Sequence, residues 1–295
     1  MPRFVKESVL FALTVAILAL PILIWIGNAP NRSEPVEVVT KYLKFLYARD
    51  FRRAYQSISA ADRQLKTQND YVRERGPFDG FAHEVARKLS GFIEIRPITQ
   101  QIDGTQNRVR LALRLPDAEA LSDLVLEWDE NRLKALPRSE QRRILATLDR
   151  LARAEKLPMI EGEEEFILVR EGSKWKVFLD WAAGVQVKFD TTLPANGGLV
   201  AQPTIKETIA RSGDLFTIGF KVKNTGAGEV LTRIAHRVAP KELAEYLDLV
   251  ECALLLPVRL QPGEEQIYNS TYIVRGDLPD GNKTLDVTYE FKVEN

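Results

Sequence analysis

The chain has 295 residues with 41 basic and 41 acidic side chains, so its formal net charge is zero, and it carries one cysteine, two histidines and two methionines. That balance leaves no global field to gather nucleic acid, and no nucleic-acid partner is expected. One cysteine excludes an intramolecular disulfide, and the length allows two soluble domains after a leading segment.

In chain order, residues 9–27 come first, an apolar run without a charge. It is about as long as a helix that crosses a hydrocarbon core. It is longer than the roughly 7 to 15 apolar residues of a secretory signal, and Trp25 near its end sits where an interfacial aromatic belongs. Pro21 is tolerated in a membrane helix because neighbouring groups can satisfy the freed carbonyl. No cysteine follows the run, which excludes a lipoprotein. Arg3 and Lys6 precede it, which keeps the amino terminus inside. Residues 1–30 are therefore expected to be a cytoplasmic tip and a single transmembrane anchor in a bacterial inner membrane, with the following domains periplasmic.

Residues 31–184 are expected to form an α+β domain. Val39, Leu43 and Leu46 share one face of a helix over 36–47, residues 51–57 continue the pattern, and 78–89 read as another helix. Strands are predicted over 92–98 and 108–115 around Asp103-Gly104, and over 165–169 and 175–181 around Glu171-Gly172-Ser173. Residues 116–157 read as a helical insertion. Ser139 is its expected cap, with Ile144, Leu145, Leu148 and Leu151 on one face and Arg142, Arg143, Arg150 and Arg153 on the other. Helices followed by a curved antiparallel sheet resemble the SnoaL-like cone fold shared with nuclear transport factors, which implies a ligand pocket inside the cone. His83 is expected to be structural rather than half of a proton-transfer pair. The acidic run Glu161, Glu163, Glu164 and Glu165 is expected to open an exposed strand rather than bind a hard cation.

Residues 185–295 alternate in the manner of strands buried on one face. Phe216, Ile218, Phe220 and Val222 form one such set, and Leu285, Val287, Tyr289, Phe291 and Val293 another. Turn residues separate them at Asn224-Thr225-Gly226, Gln261-Pro262-Gly263 and Pro279-Asp280-Gly281-Asn282. With one brief helical candidate at 240–247, this pattern predicts an all-β, two-sheet antiparallel sandwich of immunoglobulin-like type.

The lone cysteine lies in Val250-Glu251-Cys252-Ala253-Leu254-Leu255-Leu256-Pro257-Val258-Arg259-Leu260-Gln261-Pro262-Gly263-Glu264. The segment resembles the CtaG family of cytochrome c oxidase assembly proteins, membrane-anchored copper chaperones marked by Cys-Phe-Cys-Phe and, at this spacing, Leu-x-Pro-Gly-Glu. Supporting pieces run through the C-terminal third: Val187-Lys188-Phe189-Asp190, Gly213-Asp214, Phe216 through Asn224, His236 through Pro240, Ala244-Glu245-Tyr246, Asp277-Leu278-Pro279, Thr284-Leu285 and Thr288-Tyr289-Glu290-Phe291. The resemblance implies an immunoglobulin-like sandwich and a role in delivering copper to the copper B centre of the oxidase catalytic subunit. Cys252 takes the first cysteine position, but Leu254 takes the second, and the family's cysteine just beyond the anchor has no counterpart.

Copper(I) prefers soft thiolates, and Cys252 with His236 is the only metal pair the domain suggests. Copper(I) is accordingly expected to bind weakly, or to be shared between the protomers of a homodimer. The flanking Ala253-Leu254-Leu255-Leu256 suggests a buried, inert thiol, and no enzymatic activity is expected. The expected function is a membrane-anchored periplasmic factor in oxidase assembly with a partly lost copper site, its partners the inner membrane and the oxidase catalytic subunit. A non-metal scaffold, or a ligand-binding or sensing protein that uses the cone-like domain, is the alternative.

Overall fold

The computed structural model describes residues 33–76, 80–117, 120–121, 136–195, 198–276, 278–279 and 283–294. The expected anchor at 9–27, most of the expected insertion before Leu136 and most of the turn at 279–282 lie outside the described residues. Among those described, no helix is long and apolar enough to cross a membrane.

Helix α1 (Ser33–Tyr47) is buried on two sides. Val39 and Leu43 pack on the sheet residues Val109, Leu111, Leu113, Leu168 and Trp175. Tyr42 joins a separate cluster with Phe51, Tyr55, Tyr71 and Trp181. Three short helices follow, α2 (Phe51–Gln56), α3 (Ala60–Leu65) and α4 (Gln68–Arg73), each of 6 residues. Helices this short are marginal alone, so caps and packing must hold them. Asp50, Ser59 and Thr67 each accept a hydrogen bond from a first-turn backbone N–H with their side chains. The sequence reading anticipated α2 but missed α3 and α4, although Ser59-x-x-Asp62 and Thr67-x-x-Asp70 are legible capping patterns.

Helix α5 (Gly80–Ser90) packs Phe81 and Val85 against Ile144 and Leu148 of α6 (Arg138–Arg153). The apolar face predicted for α6 is the one buried, but Ser139 does not cap it. The helix starts one residue earlier, with Pro137 in the cap position and no side-chain cap bond. Proline fixes the backbone before the first turn and leaves Ser139 inside the helix.

Strands β1 (Glu94–Asp103), β2 (Gln106–Pro116), β3 (Met159–Glu171) and β4 (Lys174–Phe178) form one antiparallel sheet in chain order. On its outer face Arg108 meets Glu165 at 2.7 Å, Arg110 meets Glu163 at 2.5 Å and Arg114 meets Glu161 at 3.8 Å. The acidic run is thus the glutamate rail of a cross-strand ion-pair ladder: Arg114 stands directly opposite Glu161, while Arg108 and Arg110 reach Glu165 and Glu163 diagonally, two residues along β3. The strand predicted over 175–181 ends at Phe178 and gives way to a 3-10 turn at Trp181–Ala183. Asp62 is the reason. Its carboxylate accepts from the N–H groups of Leu179 and Trp181, both at 2.9 Å, and pulls the chain out of the ladder.

The C-terminal strands are β5 (Val185–Thr192), β6 (Leu199–Pro203), β7 (Glu207–Ala210), β8 (Leu215–Asn224), β9 (Val230–Ala239), β10 (Leu247–Cys252), β11 (Val258–Leu260), β12 (Glu265–Val274) and β13 (Thr284–Glu294). They make a sandwich of two sheets, ordered β10-β12-β8-β6 and β11-β9-β13-β5-β7. One expectation needs correction: the sheets are not wholly antiparallel, since β5 and β13 pair in parallel. The last strand inserts between β9 and the first strand, and everything between serves as the long connection that a parallel pair requires. The helical candidate at 240–247 is a 3-10 segment, Lys241–Tyr246.

The joint between the two parts is polar and buried. Lys66 and Glu74 form an ion pair of 2.6 Å with side chains only 7% and 3% exposed. The Lys66 ammonium also lies 4.6 Å from the Trp181 ring centroid. Glu74 reaches into the sandwich, accepting from the Thr208 hydroxyl with its carboxylate and from the Thr217 N–H with its carbonyl. Burial holds the Glu74 carboxyl above its ordinary range, against the pull of Lys66.

Candidate functional site

The cysteine loop joins the edges of the two sheets: β10 is an edge strand paired to β12, and β11 is an edge strand paired to β9. The register of β10 slips between Leu249 and Glu251, a bulge that bends the strand just before Cys252. Cys252 pairs with Ser270, and the Ala253 N–H still donates to the Asn269 carbonyl before the chain leaves the sheet. Beyond β11, the Gln261-Pro262-Gly263-Glu264 turn closes on itself as the Glu264 carboxylate accepts from the Gln261 N–H at 2.7 Å. Gly263 supplies the left-handed backbone that the turn needs, with φ of 79°. Buried Asn224 ties this turn to its own, donating to the Gly228 and Leu260 carbonyls. The Pro-Gly-Glu signature and the Asn turn are therefore parts of one structural staple at the end of the sandwich.

Cys252 is half-buried against the core, and Leu254, which takes the second-cysteine position, is fully buried in that core. The expectation of a thiol sealed in an apolar loop holds only in part. Leu255 and Leu256 are 54% and 75% exposed.

Around the thiol lies a polar-aromatic cluster. The Ser270 hydroxyl donates to Cys252 Sγ at 3.2 Å, and Sγ is 3.7 Å from the Tyr289 hydroxyl. The Tyr289 and Tyr272 hydroxyls share a hydrogen bond of 2.6 Å. Tyr289 stacks on Phe220 at 3.9 Å between centroids, and Tyr272 stacks on Phe216 at 5.6 Å. His236 is the cross-strand partner of Tyr289, and its ring meets that of Tyr289 edge-on at 5.4 Å. Tyr289 thus touches both Cys252 and His236, the one metal pair that the sequence suggests. Among the described residues no hydrogen bond joins Cys252 to His236 directly, and His236 Nε2 is buried without a partner.

Burial raises both tyrosine pKa values well above the ordinary phenol range, so each hydroxyl stays protonated at neutral pH. Burial also lowers the His236 pKa, which favours the neutral imidazole. The donor set is one thiol, one neutral imidazole with an unused nitrogen and two phenols. Among the described residues no three His, Cys, Asp or Glu side chains gather where they could hold a metal ion. Sequence reasoning missed Ser270 and Tyr272, yet both occupy inward positions of β12, where the period of two puts Tyr268, Ser270, Tyr272 and Val274 on the core side.

The other expected site does not lie where the cone analogy puts it. The space between α1 and the four-stranded sheet is filled by packed side chains. A cavity of about 810 Å³ opens instead at the joint, between the short helices and the outer face of the β8 and β12 strands, and His83 is among its lining residues.

A family model described as cytochrome c oxidase assembly protein CtaG/Cox11 matches residues 163–292, a little under half of the chain. The match takes in the end of the first sheet and nearly all of the sandwich, and the C-terminal resemblance to that family is real. No curated protein matches the chain. Solved structures similar to it include native E. coli alpha-2-macroglobulin, at 10% identity and a TM-score of 0.25, covering 68% of this chain and 15% of that one. The elastase-activated E. coli protein follows at 10% identity and a TM-score of 0.23, covering 68% and 22%. Salmonella alpha-2-macroglobulin reacted with methylamine gives 10% identity and a TM-score of 0.22, covering 68% and 16%. This chain spans less than a quarter of each, and at such TM-scores nothing follows from the likeness. The family match reaches into residues 163–184, and none of these matches supports the cone-like reading of residues 31–184.

Proposed function

We propose that this protein is a membrane-anchored periplasmic factor in cytochrome c oxidase assembly, whose sandwich docks on the oxidase catalytic subunit and meets copper(I) through the single thiol of Cys252. The family match over 163–292 carries the reading. The apolar run at 9–27 and the preceding Arg3 and Lys6 support the anchor and its orientation.

Copper is cargo here, and ligand counting limits how it is held. Copper(I) is well served by two thiolates, and one chain offers one, because Leu254 is packed into the core where the family has its second cysteine. The nearby imidazole is neutral and has an unused nitrogen, which suits a weak second ligand. A monomer should hold copper weakly, and a pair of chains sharing two Cys252 thiols should hold it better. Exposed Val250, Leu255 and Leu256 beside the thiol offer apolar surface for a partner to cover.

Affinity purification of the intact protein from solubilised membranes tests this. The oxidase catalytic subunit should co-purify with the native protein and with Cys252→Ser, whereas copper should accompany only the native one. Leu256→Glu should weaken the co-purification. If no oxidase subunit is recovered with either form, the assembly role is wrong.

A further inference from the structure

The joint cavity is lined by three arginines and a histidine from four separate elements. Arg49 comes from the α1–α2 link, Arg52 from α2, Arg73 from α4 and His83 from α5. Among the described residues the only carboxylate lining it is Asp50, which caps α2 through the Arg53 N–H and pairs with the Arg53 side chain at 3.4 Å. Arg49, Arg52 and Arg73 are all exposed toward solvent. Arg73 is fixed at the rim by its hydrogen bond to the Thr204 carbonyl at 3.2 Å and by an ion pair with Asp70 at 3.8 Å. The remaining walls are largely apolar, from Phe51 and Val72 on the helical side and Ile267, 54% exposed, on the sheet side. Gly219 shapes the floor. A Cβ there would stand 2.8 Å from Ile267 Cγ2 and 3.1 Å from Thr204 Cγ2, so only glycine leaves room for the two walls as they are.

Guanidinium groups present planar donor forks that match phosphate oxygens. At about 810 Å³ the cavity is much larger than a phosphate ion and falls within the usual range for small-molecule sites. We propose that this groove binds an amphiphile whose phosphate headgroup is net anionic, the phosphate held among Arg49, Arg52 and Arg73 and the apolar part lying along Phe51, Val72 and Ile267. The site is separate from the thiol cluster. Asn269 and Ile267 face the groove, whereas Ser270 and Tyr272 of the same strand face the core, so the two sites lie on opposite sides of one sheet.

Calorimetric titration of the full-length chain in a neutral detergent decides the matter. The probes are dihexanoyl phosphatidylglycerol, dihexanoyl phosphatidylcholine and inorganic phosphate. Saturable binding of phosphatidylglycerol in clear preference to phosphatidylcholine, weakened about tenfold or more by Arg52→Glu, supports the proposal with a lipid headgroup as the source. Ile267→Ser should then weaken the lipid but not phosphate. Inorganic phosphate binding as tightly as the lipid, with the same loss in Arg52→Glu, would show that the apolar walls contribute nothing and overturns the amphiphile in favour of a free-phosphate site. Arg52 is exposed on a helix surface, so its variant should keep the native unfolding midpoint, and Arg49→Glu serves as the second charge reversal. Cys252→Ser should bind like the native protein, which separates this site from the copper reading. Absence of saturable binding by both anionic probes, or binding indifferent to both charge reversals, overturns the proposal.

Discussion

Leu254 stands two positions past Cys252, and its side chain is fully buried while the thiol is half-buried against the same core. Replacing it by cysteine therefore does two opposite things. It supplies a second thiolate beside the first, and it empties part of a packed position. Leu254→Cys should raise copper(I) affinity by orders of magnitude in competition with a chelator. It should also lower stability by about 2 kcal/mol, near the low end for shortening a buried leucine. An unchanged affinity would mean that the loop no longer presents the two positions to one ion. Gly184 carries a sharper steric limit. A Cβ there would lie 2.8 Å from Ile209 Cγ2, 2.9 Å from the Ala210 carbonyl and 3.0 Å from the Trp181 carbonyl. Two of these obstacles are backbone, so Gly184→Ala should cost about 1–3 kcal/mol in urea denaturation. His236 sets a pH dependence. Burial lowers its folded pKa below the unfolded value of about 6.5, so as pH falls the unfolded chain takes up the proton first. Its contribution is complete above that value and is lost as pH falls from there through the folded pKa. The native protein should lose more stability between about pH 7.5 and 5.5 than His236→Phe does; equal losses would show that the imidazole is not the group responsible.

Elements in this molecule are held by side chains that reach across the chain. The α3 helix has only 6 residues, yet Asp62 within it is 1% exposed and fixes the exit of β4 through the Leu179 and Trp181 N–H groups while accepting from Ser59. Asp62→Ala leaves both of those N–H groups without their acceptor. At about 1–3 kcal/mol for each buried donor left unpaired, the loss should reach several kcal/mol and show first as loosening around Trp181 in hydrogen exchange. The arginine-glutamate ladder on the first sheet should behave in the opposite way. Arg110 and Glu163 are about half exposed, so Arg110→Ala should change stability by less than about 1 kcal/mol.

At the scale of the whole molecule, the two parts are joined by polar contacts across a seam, of which those around Glu74 are buried. Lys66 and Glu74 pair with each other, and Glu74 also takes up Thr208 and the Thr217 N–H from the sandwich. Arg211 pairs with Asp180, and Arg75 donates to the Leu215 carbonyl at 3.3 Å, across the same seam. The sequence predicts two domains, at 31–184 and 185–295, and the seam between them argues for coupled unfolding. Urea denaturation followed by tryptophan emission and by far-ultraviolet dichroism should give coincident transitions. Glu74→Ala strands the Lys66 ammonium and should cost about 3–5 kcal/mol, much of it recovered when Lys66→Met is added. Two separated transitions, with the second unaffected by Glu74→Ala, would mean that the halves are independent after all.

Period and punctuation by themselves determined most of the elements: α1 from Val39 and Leu43, the hairpin at Asp103-Gly104, the strands around Phe220 and Tyr289, and the turn at Pro262-Gly263. These signals are local, since alternation and capping act over a few residues. The spacing from Cys252 to Gly263-Glu264 was likewise enough to carry the family resemblance that the match over 163–292 bears out. Tertiary structure alone decided which groups stand around the thiol. Ser270 and Tyr272 come from β12, Tyr289 from β13 and His236 from β9, and only the stacking of two sheets sets the Ser270 and Tyr289 hydroxyls beside the sulfur and the His236 ring against Tyr289. The same holds for the groove at the joint, because Arg52 and Ile267 face one cavity only once the short helices rest on the outer face of the sandwich. Contacts of that range are fixed by burial and chain topology, which leave no periodic mark on the sequence.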